Sequence, residues 1–138
     1  MGSEVDFFDY INDSSENEIS QWLSSVGGSE KDNKRIKGRF TTTLLHLAAD
    51  RPANWKRPYV DALSAPCQGL FDIRHEIVRI QYRLIGFHGP DRGTATLIFG
   101  AKEIGGRFEP RNTCEIAQRI RALVESNPTK YRREHDYS

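Results

Sequence analysis

Three β-rich stretches decide the fold: Gly-Leu-Phe-Asp-Ile-Arg (69–74), Val-Arg-Ile-Gln-Tyr-Arg-Leu-Ile-Gly-Phe (78–87) and Gly-Thr-Ala-Thr-Leu-Ile-Phe-Gly-Ala-Lys (93–102). From residue 78 to residue 84, apolar residues alternate with Arg79, Gln81 and Arg83. Successive strand side chains point to opposite faces, so the pattern predicts one core face and one arginine face. The short connections predict antiparallel pairing. Such an arginine face is either solvated or a surface for an anionic ligand.

Helical periodicity occurs on both sides of these strands. One helix is expected to begin with a capping box at Ser15 and to end at Val26. A second is expected after Ser29 and is ended by Pro52, and a third follows Asn112. The glycine pair between the first two helices predicts an antiparallel helical hairpin.

This order of elements predicts an α+β fold. We expect the helical hairpin to pack on one face of a small antiparallel sheet, which a C-terminal helix follows, and to leave the arginine face open. A short strand within residues 4–10 is a further expectation, although this segment could also begin a helix. Residues 1–138 form one domain, with a core over 4–125 and an extended tail over 126–138.

Composition excludes several classes of protein. Of the 138 residues, 37% are hydrophobic and 28% are charged, and no apolar run is long enough to span a membrane. We therefore expect a cytoplasmic protein with no membrane partner. Cys67 and Cys114 lie far apart without a Cys-x-x-Cys pair, which argues against a zinc site and a disulfide framework. The four histidines are also scattered, so no metal or cofactor is predicted.

Charge is unevenly distributed along the chain. The first 50 residues have a net charge of −4 and the rest have +5, so an anion-binding surface is expected in the second part. The segment from Trp55 to Tyr59 interleaves aromatic and basic residues, which can stack on bases but more often seal the edge of a core. His46 lies beside the apolar stripe of the second helix, and we interpret it as a partly buried structural histidine.

A family resemblance rests on short motifs in a fixed order. These are Ile-Ser-Gln-Trp-Leu (19–23), Gly-Leu-Phe-Asp-Ile-Arg (69–74), Tyr-Arg-Leu-Ile-Gly-Phe (82–87), Gly-Pro (89–90) and Thr-Leu-Ile-Phe-Gly-Ala-Lys-Glu (96–103). Together they resemble the RelE/ParE superfamily of bacterial type II toxins, in particular its phage-related, HigB-like branch. The resemblance implies a toxin that is paired with an antitoxin, expected to carry a helix-turn-helix DNA-binding domain. It also implies a metal-independent, ribosome-dependent mRNA endonuclease, or mRNA interferase, whose partners are mRNA and the ribosome.

Within this resemblance, Arg79 takes the place of the strand arginine of RelE, and Lys102 takes the place of the lysine that follows the next strand's glycine. Three positions depart from the pattern. Leu70 and Asp72 stand where RelE has lysines, and Glu103 stands where it has an arginine. The RelE-type set is therefore incomplete.

Metal-free RNA cleavage requires a base for the 2′-hydroxyl, cations for the phosphorane and an acid for the leaving oxygen. Arginine suits the second role because its planar fork binds phosphate oxygens and keeps its charge. The predicted catalytic residues are Arg74, Arg79, Lys102 and Glu103, and the predicted RNA-binding residues are Gln81, Arg83, His88, Arg107 and Arg111. Glu103 is the first candidate for the base, and the alternatives are His88, Lys102, His135 and Tyr137.

Two other functions remain open. A ParE-like toxin would poison gyrase without chemistry of its own, as the missing lysines suggest. A phage-derived relic would be catalytically inactive and would only bind a partner.

Overall fold

The computed structural model describes residues 4–138, which contain seven strands and four helices. The strands are β1 (Asp6–Tyr10), β2 (Val60–Ala62), β3 (Phe71–Ile77), β4 (Ile80–His88), β5 (Thr94–Ile104), β6 (Arg107–Glu109) and β7 (Arg132–Glu134). The helices are α1 (Glu18–Ser25), α2 (Glu30–Ala48), α3 (Thr113–Ser126) and α4 (Pro128–Tyr131). None of the helices in this part of the chain is long and apolar enough to cross a membrane.

All seven strands belong to one sheet, in the order β2-β3-β4-β5-β1-β7, with β6 paired to the end of β5. The pairs are antiparallel except that β1 runs parallel to β5, with Asp6 opposite Thr94. The mixed α+β class is confirmed. The sheet is larger than the small antiparallel one that we predicted, because both chain ends contribute strands to it.

Helices α1 and α2 cover one face of the sheet as the predicted hairpin. Apolar side chains of both helices and of alternate strand positions form a continuous core there. Trp22 of α1 lies so close to Gly100 of β5 that a Cβ atom at Gly100 would stand 2.2 Å from the indole, so only glycine fits. Ser29 caps α2 as predicted, whereas α1 is capped by Asn17 rather than by Ser15.

The opposite face is not open, and that prediction is wrong. Helix α3 packs Ala117, Ile120 and Val124 against strand residues that include Ile85 and Ile98. The reason lies in β4 and β5, where apolar side chains point to both faces rather than to one. A strand buried on both faces reads as a nearly continuous apolar run.

Cys67 and Cys114 form a disulfide, contrary to our prediction. Their Cα atoms are 4.9 Å apart although 47 positions separate them in sequence. The bond ties the loop before β3 to the first turn of α3, where the Gln118 amide also donates hydrogen bonds to the carbonyl oxygens of Pro66 and Gln68. Stable disulfides are typical of oxidising compartments, so the cytoplasmic location stays only a prediction.

The last residues form an edge strand rather than an extension away from the fold. Strand β7 pairs antiparallel with β1, and the backbone N–H of His135 donates a hydrogen bond to the Phe7 carbonyl oxygen. The His135 side chain is buried, and its Nδ1 atom lies 2.8 Å from the Asp9 carboxylate. Tyr137 packs against the helical-hairpin core. The polar composition of 132–136 concealed this strand because it lies at an edge.

We expect loss of the disulfide to destabilise the fold. The bond closes a loop of 47 residues, and the chain-entropy model gives about 4 kcal/mol for a loop of this length. Replacing Cys67 and Cys114 with serine should lower the free energy of unfolding by about 3–4 kcal/mol in urea titrations. A reductant should destabilise the wild type by a similar amount and leave the double variant unchanged. Equal stability of wild type and variant would contradict a structural role.

Candidate functional site

Carboxylates pair with Arg74 and Arg83, two of the arginines of the predicted face. The sheet charge network consists of Arg57, Asp61, Asp72, Arg74, Arg83 and Glu103 on β2 to β5 and the loop before β2. Arg74 Nη2 lies 3.0 Å from Asp72 Oδ1, and Arg83 Nη2 lies 2.6 Å from Glu103 Oε1. Three cations and three anions alternate, so the network carries no net charge.

Burial sets the properties of this network. Arg83 and Asp72 are 5% and 1% exposed. Burial raises the pKa of the Asp72 carboxyl, and the charges of Arg74 and Arg83 offset part of that rise. Arg83 Nη2 also donates a hydrogen bond to Gln81 Oε1, 2.7 Å away. This further bond leaves the guanidinium with less capacity to bind another anion. Arg74 and Arg83 therefore stabilise the sheet and are not free for phosphate.

The structure does not bring the four predicted catalytic residues together. Arg79 and Val78 form the two-residue turn between β3 and β4, with φ of 65° and 51°, so the strand begins only at Ile80. Lys102 lies over the Tyr82 ring on the helical-hairpin face, 5.9 Å from the centroid. Glu103, the next residue of β5, points to the other face, where it binds Arg83.

The predicted RNA-binding residues are also dispersed. Gln81 and Arg83 belong to the buried side of the sheet, whereas Arg107 and Arg111 are exposed beside the disulfide loop. His88 is at the far end of β4, seven residues after Gln81. An extended chain of that length spans about 24 Å. The His88 ring contacts Trp55 and Phe71 at centroid distances of 5.1 and 4.9 Å.

Two further candidates for the base lie at the opposite edge of the sheet. His135 is buried against Asp9. Burial raises the pKa of Tyr137 to about 12, so its hydroxyl keeps its proton at neutral pH and cannot serve as the base. Neither residue shares a surface with Arg79.

A large cavity lies elsewhere, between the exposed side of α2 and the loop before β2. This α2 groove has a volume of about 880 Å³. Its wall on α2 consists of Lys34, Arg35, Gly38, Arg39, Thr42, Thr43, His46 and Leu47. The chain after α2 contributes Asp50, Asn54, Trp55, Lys56, Arg57, Pro58 and Tyr59, and His75 of β3 also lines the groove. The α2 residues recur at intervals of three and four, which places them on one face of the helix.

Most cations of the α2 groove lack a carboxylate partner. Within residues 4–138, no carboxylate oxygen lies within 4.0 Å of Arg35, Arg39 or Lys56. Arg57 is paired with Asp61 at 2.9 Å, and Lys34 with Glu30 at 3.5 Å. The groove therefore has three cations without a carboxylate partner and one carboxylate, Asp50, that binds Asn54 and the Arg51 backbone N–H. Its lining has a positive balance, in contrast to the neutral sheet charge network.

Aromatic rings complete the groove. Tyr59 is 53% exposed, and its ring contacts that of His75 at 5.5 Å. Trp55 is anchored by a hydrogen bond from its indole Nε1 to the Leu47 carbonyl oxygen, 3.0 Å away. An exposed ring on a positively charged wall is the arrangement that stacks nucleic-acid bases.

Sequence reasoning missed most of this site. The segment from Trp55 to Tyr59 was considered, but its interpretation as a core seal fits only Trp55. His46, interpreted as partly buried, is exposed to the groove. Arg35 and Arg39, which are one helical turn apart and follow Lys34, are a usable sequence signal. The position of His75 beneath them had no sequence signal, because it depends on how α2 packs on β3.

Comparison of the chain with protein-family models, with curated proteins and with solved structures found no match. The RelE/ParE resemblance therefore rests on the sequence motifs.

We expect the sheet charge network to be essential for stability. Replacing Arg83 with methionine leaves Glu103 and the buried Asp72 without this cation, so the free energy of unfolding should fall by about 3 kcal/mol. The matched control is Arg92→Met, at an exposed arginine, which should cost less than about 0.5 kcal/mol. Urea unfolding measures both. A loss below about 1 kcal/mol for Arg83→Met would show that the network contributes little.

Acidification should destabilise the protein through its histidines. Burial and the charge of Arg39 lower the pKa of His75, and burial lowers that of His88. The unfolded chain, with histidine pKa values of about 6.5, then binds more protons than the folded chain, so stability rises with pH. The free energy of unfolding should be fully present above about pH 6.5 and should decline as the pH falls below it. His75→Gln should reduce this slope in urea titrations at several pH values, and an unchanged slope would contradict the assignment.

Proposed function

We propose that this protein binds single-stranded RNA in the α2 groove and acts as an mRNA-directed toxin of the RelE/ParE type. One observation carries the proposal: Arg35, Arg39 and Lys56 have no carboxylate partner among residues 4–138 and line the same cavity as the exposed Tyr59 ring. A single strand presents phosphates and unstacked bases together, and these are the two groups that such a groove can bind.

The dimensions of the groove also support a single strand. Arg35 and Arg39 are one helical turn apart, which is about 6 Å along the helix and near the phosphate spacing of an extended strand. A volume of about 880 Å³ accommodates a few nucleotides but not a duplex. A duplex would also hide its bases from Tyr59.

The toxin part of the proposal rests on the sequence motifs. The order of elements supports the proposal, because the resemblance implies the same order: a strand, a helical hairpin, an antiparallel sheet and a helix. An antitoxin with a helix-turn-helix domain is the partner that the resemblance implies. The target is RNA rather than gyrase, because the groove that supports the proposal suits a single strand.

The binding test compares two sets of cations. In the groove set, alanine replaces Arg35, Arg39 and Lys56 together. This variant should bind a fluorescent single-stranded RNA at least 30-fold more weakly in anisotropy titrations. The slope of log affinity against log salt should fall by about 2, since each phosphate contact on a single strand contributes about 0.7. In the competing set, alanine replaces Arg79, Arg107 and Arg111. This variant should bind the RNA nearly as the wild type does.

A control set separates groove contacts from net charge. Arg92, Arg119 and Arg133 are exposed cations outside the groove, and their joint replacement by alanine changes the net charge equally. This variant should keep wild-type binding. If the competing set or the control set loses as much affinity as the groove set, the α2 groove is not the RNA site.

Gly38 allows a single-residue test in the middle of the groove. A Cβ atom at Gly38 meets no atom within 4 Å, so substitution there should not disturb the fold. Gly38→Ala should bind RNA as the wild type does, whereas Gly38→Glu places a negative charge among the cations and should abolish binding. Induced in bacteria without an antitoxin, wild type and Gly38→Ala should arrest growth and Gly38→Glu should not. Equal growth of all three strains would contradict a toxin function.

A further inference from the structure

The hydrogen bonds of Thr43 determine which nitrogen of His75 carries a proton. Thr43 Oγ1 lies 3.0 Å from the Arg39 carbonyl oxygen and 2.6 Å from His75 Nε2. We assign the single hydroxyl proton of Thr43 to the Arg39 carbonyl oxygen, which can only accept. Thr43 must then accept a hydrogen bond from His75, which places a proton on Nε2. In the neutral ring, Nδ1 is left with a free lone pair.

The environment keeps this imidazole neutral. His75 is 8% exposed, and burial followed by the positive charge of Arg39 lowers its pKa. At neutral pH the Nδ1 lone pair is therefore unprotonated, which is the state a general base requires.

Packing fixes the position of the ring. The edge of the His75 ring meets Phe40 at a centroid distance of 4.9 Å and an angle of 90°, and Tyr59 lies on its groove side at 5.5 Å. Within residues 4–138, Nδ1 makes no hydrogen bond, and it is not one of the solvent-inaccessible polar atoms that lack a partner. Nδ1 therefore keeps some exposed surface, and because His75 lines the α2 groove we infer that this surface faces the groove.

We propose that His75 is the general base of an RNA-cleaving site in the α2 groove, with Thr43 as its positioning residue. The inference rests on the proposed RNA binding. His75 Nδ1 takes the proton of a ribose 2′-hydroxyl, and the 2′-oxygen attacks the adjacent phosphorus. The bond from phosphorus to the 5′-oxygen breaks, and this oxygen takes a proton from water. The hydroxide that remains takes the proton from His75, which restores the base. The products are a 2′,3′-cyclic phosphate and a 5′-hydroxyl.

Cations for the phosphorane are already in place. Arg39 is close enough to influence the ionisation of His75, and Arg35 lies one turn earlier on the same helix face. Negative charge that develops on the phosphate oxygens is thus met by guanidinium groups with no carboxylate partner within residues 4–138. The other charged or titratable groups that face the groove are Lys34, His46, Asp50, Lys56, Arg57 and Tyr59.

The central test replaces the base and keeps its hydrogen bond. In His75→Gln, the side-chain amide can still donate to Thr43 but has no basic lone pair. This variant should bind RNA within about twofold of the wild type and cleave it at least 100-fold more slowly. Substrates are a free single-stranded RNA and an mRNA on purified ribosomes, and circular dichroism with a thermal melt verifies the fold. An RNA with one 2′-deoxyribose at the cleaved position should bind and remain intact.

The pH profile tests Thr43 and separates His75 from its neighbour. The wild-type cleavage rate should rise with pH below about 6.5 and reach a plateau at neutral pH, because only unprotonated His75 accepts the proton. Thr43→Val removes the acceptor of the Nε2 proton. The cleavage rate should therefore fall about tenfold, and the pH at which the rate is half-maximal should shift. His46→Gln is the competing variant. If it abolishes cleavage and His75→Gln does not, the base is His46 and the proposal is wrong.

The remaining outcomes distinguish this proposal from the proposed function. RNA binding without cleavage of either substrate by the wild type would overturn the general-base assignment and leave RNA binding intact. Cleavage of the 2′-deoxy RNA would overturn the 2′-hydroxyl step. Absence of RNA binding would overturn both proposals.

Discussion

The sheet is buried on both faces, and the rest of the structure depends on this constraint. A charged side chain that points into either face must find a partner, because an isolated buried charge is strongly unfavourable. Arg83 is the clearest example. It projects from the middle of the sheet and is held between Asp72, whose Oδ2 lies 3.6 Å from its Nε, and Glu103. The face that the alternation of arginines suggested for an anionic ligand is thus occupied by the carboxylates of the protein itself.

This constraint moves the available positive charge to the periphery. Helix α2 buries Phe40 and Leu44 in the core and presents Arg35 and Arg39 on another side. On that side, Arg35 and Arg39 remain free of carboxylates within residues 4–138 and line the α2 groove. The neutral network and the positive groove are consequences of the same packing. The centre of the network, Asp72 and Arg83, is buried and needs paired charges, whereas the groove is solvated and does not.

His75 lies where the sheet core meets the α2 groove. It sits on β3, faces α2, and is held by Thr43 and Phe40 of that helix. The same packing that buries the ring lowers its pKa and fixes its tautomer. A histidine with one nitrogen bound to the scaffold and the other towards a solvated, positively charged cavity has the chemical properties of a base without needing a carboxylate beside it.

The sequence by itself determined the mixed α+β class and the main helices and strands. Helical spacing, the Ser29 cap and the three β-rich runs predicted α1 to α3 and β3 to β5, because these signals depend on neighbours within a few positions of the chain. It did not determine which charges meet. The alternation in β4 correctly grouped Gln81 with Arg83, but the neutralising carboxylates come from β3 and β5. Likewise, the disulfide bonds residue 67 to residue 114, and the edge strand β7 pairs with β1. The α2 groove is formed by a helix, a loop distant in sequence and His75. Only the tertiary structure decided these contacts, because burial and charge depend on neighbours in space that a local pattern does not specify.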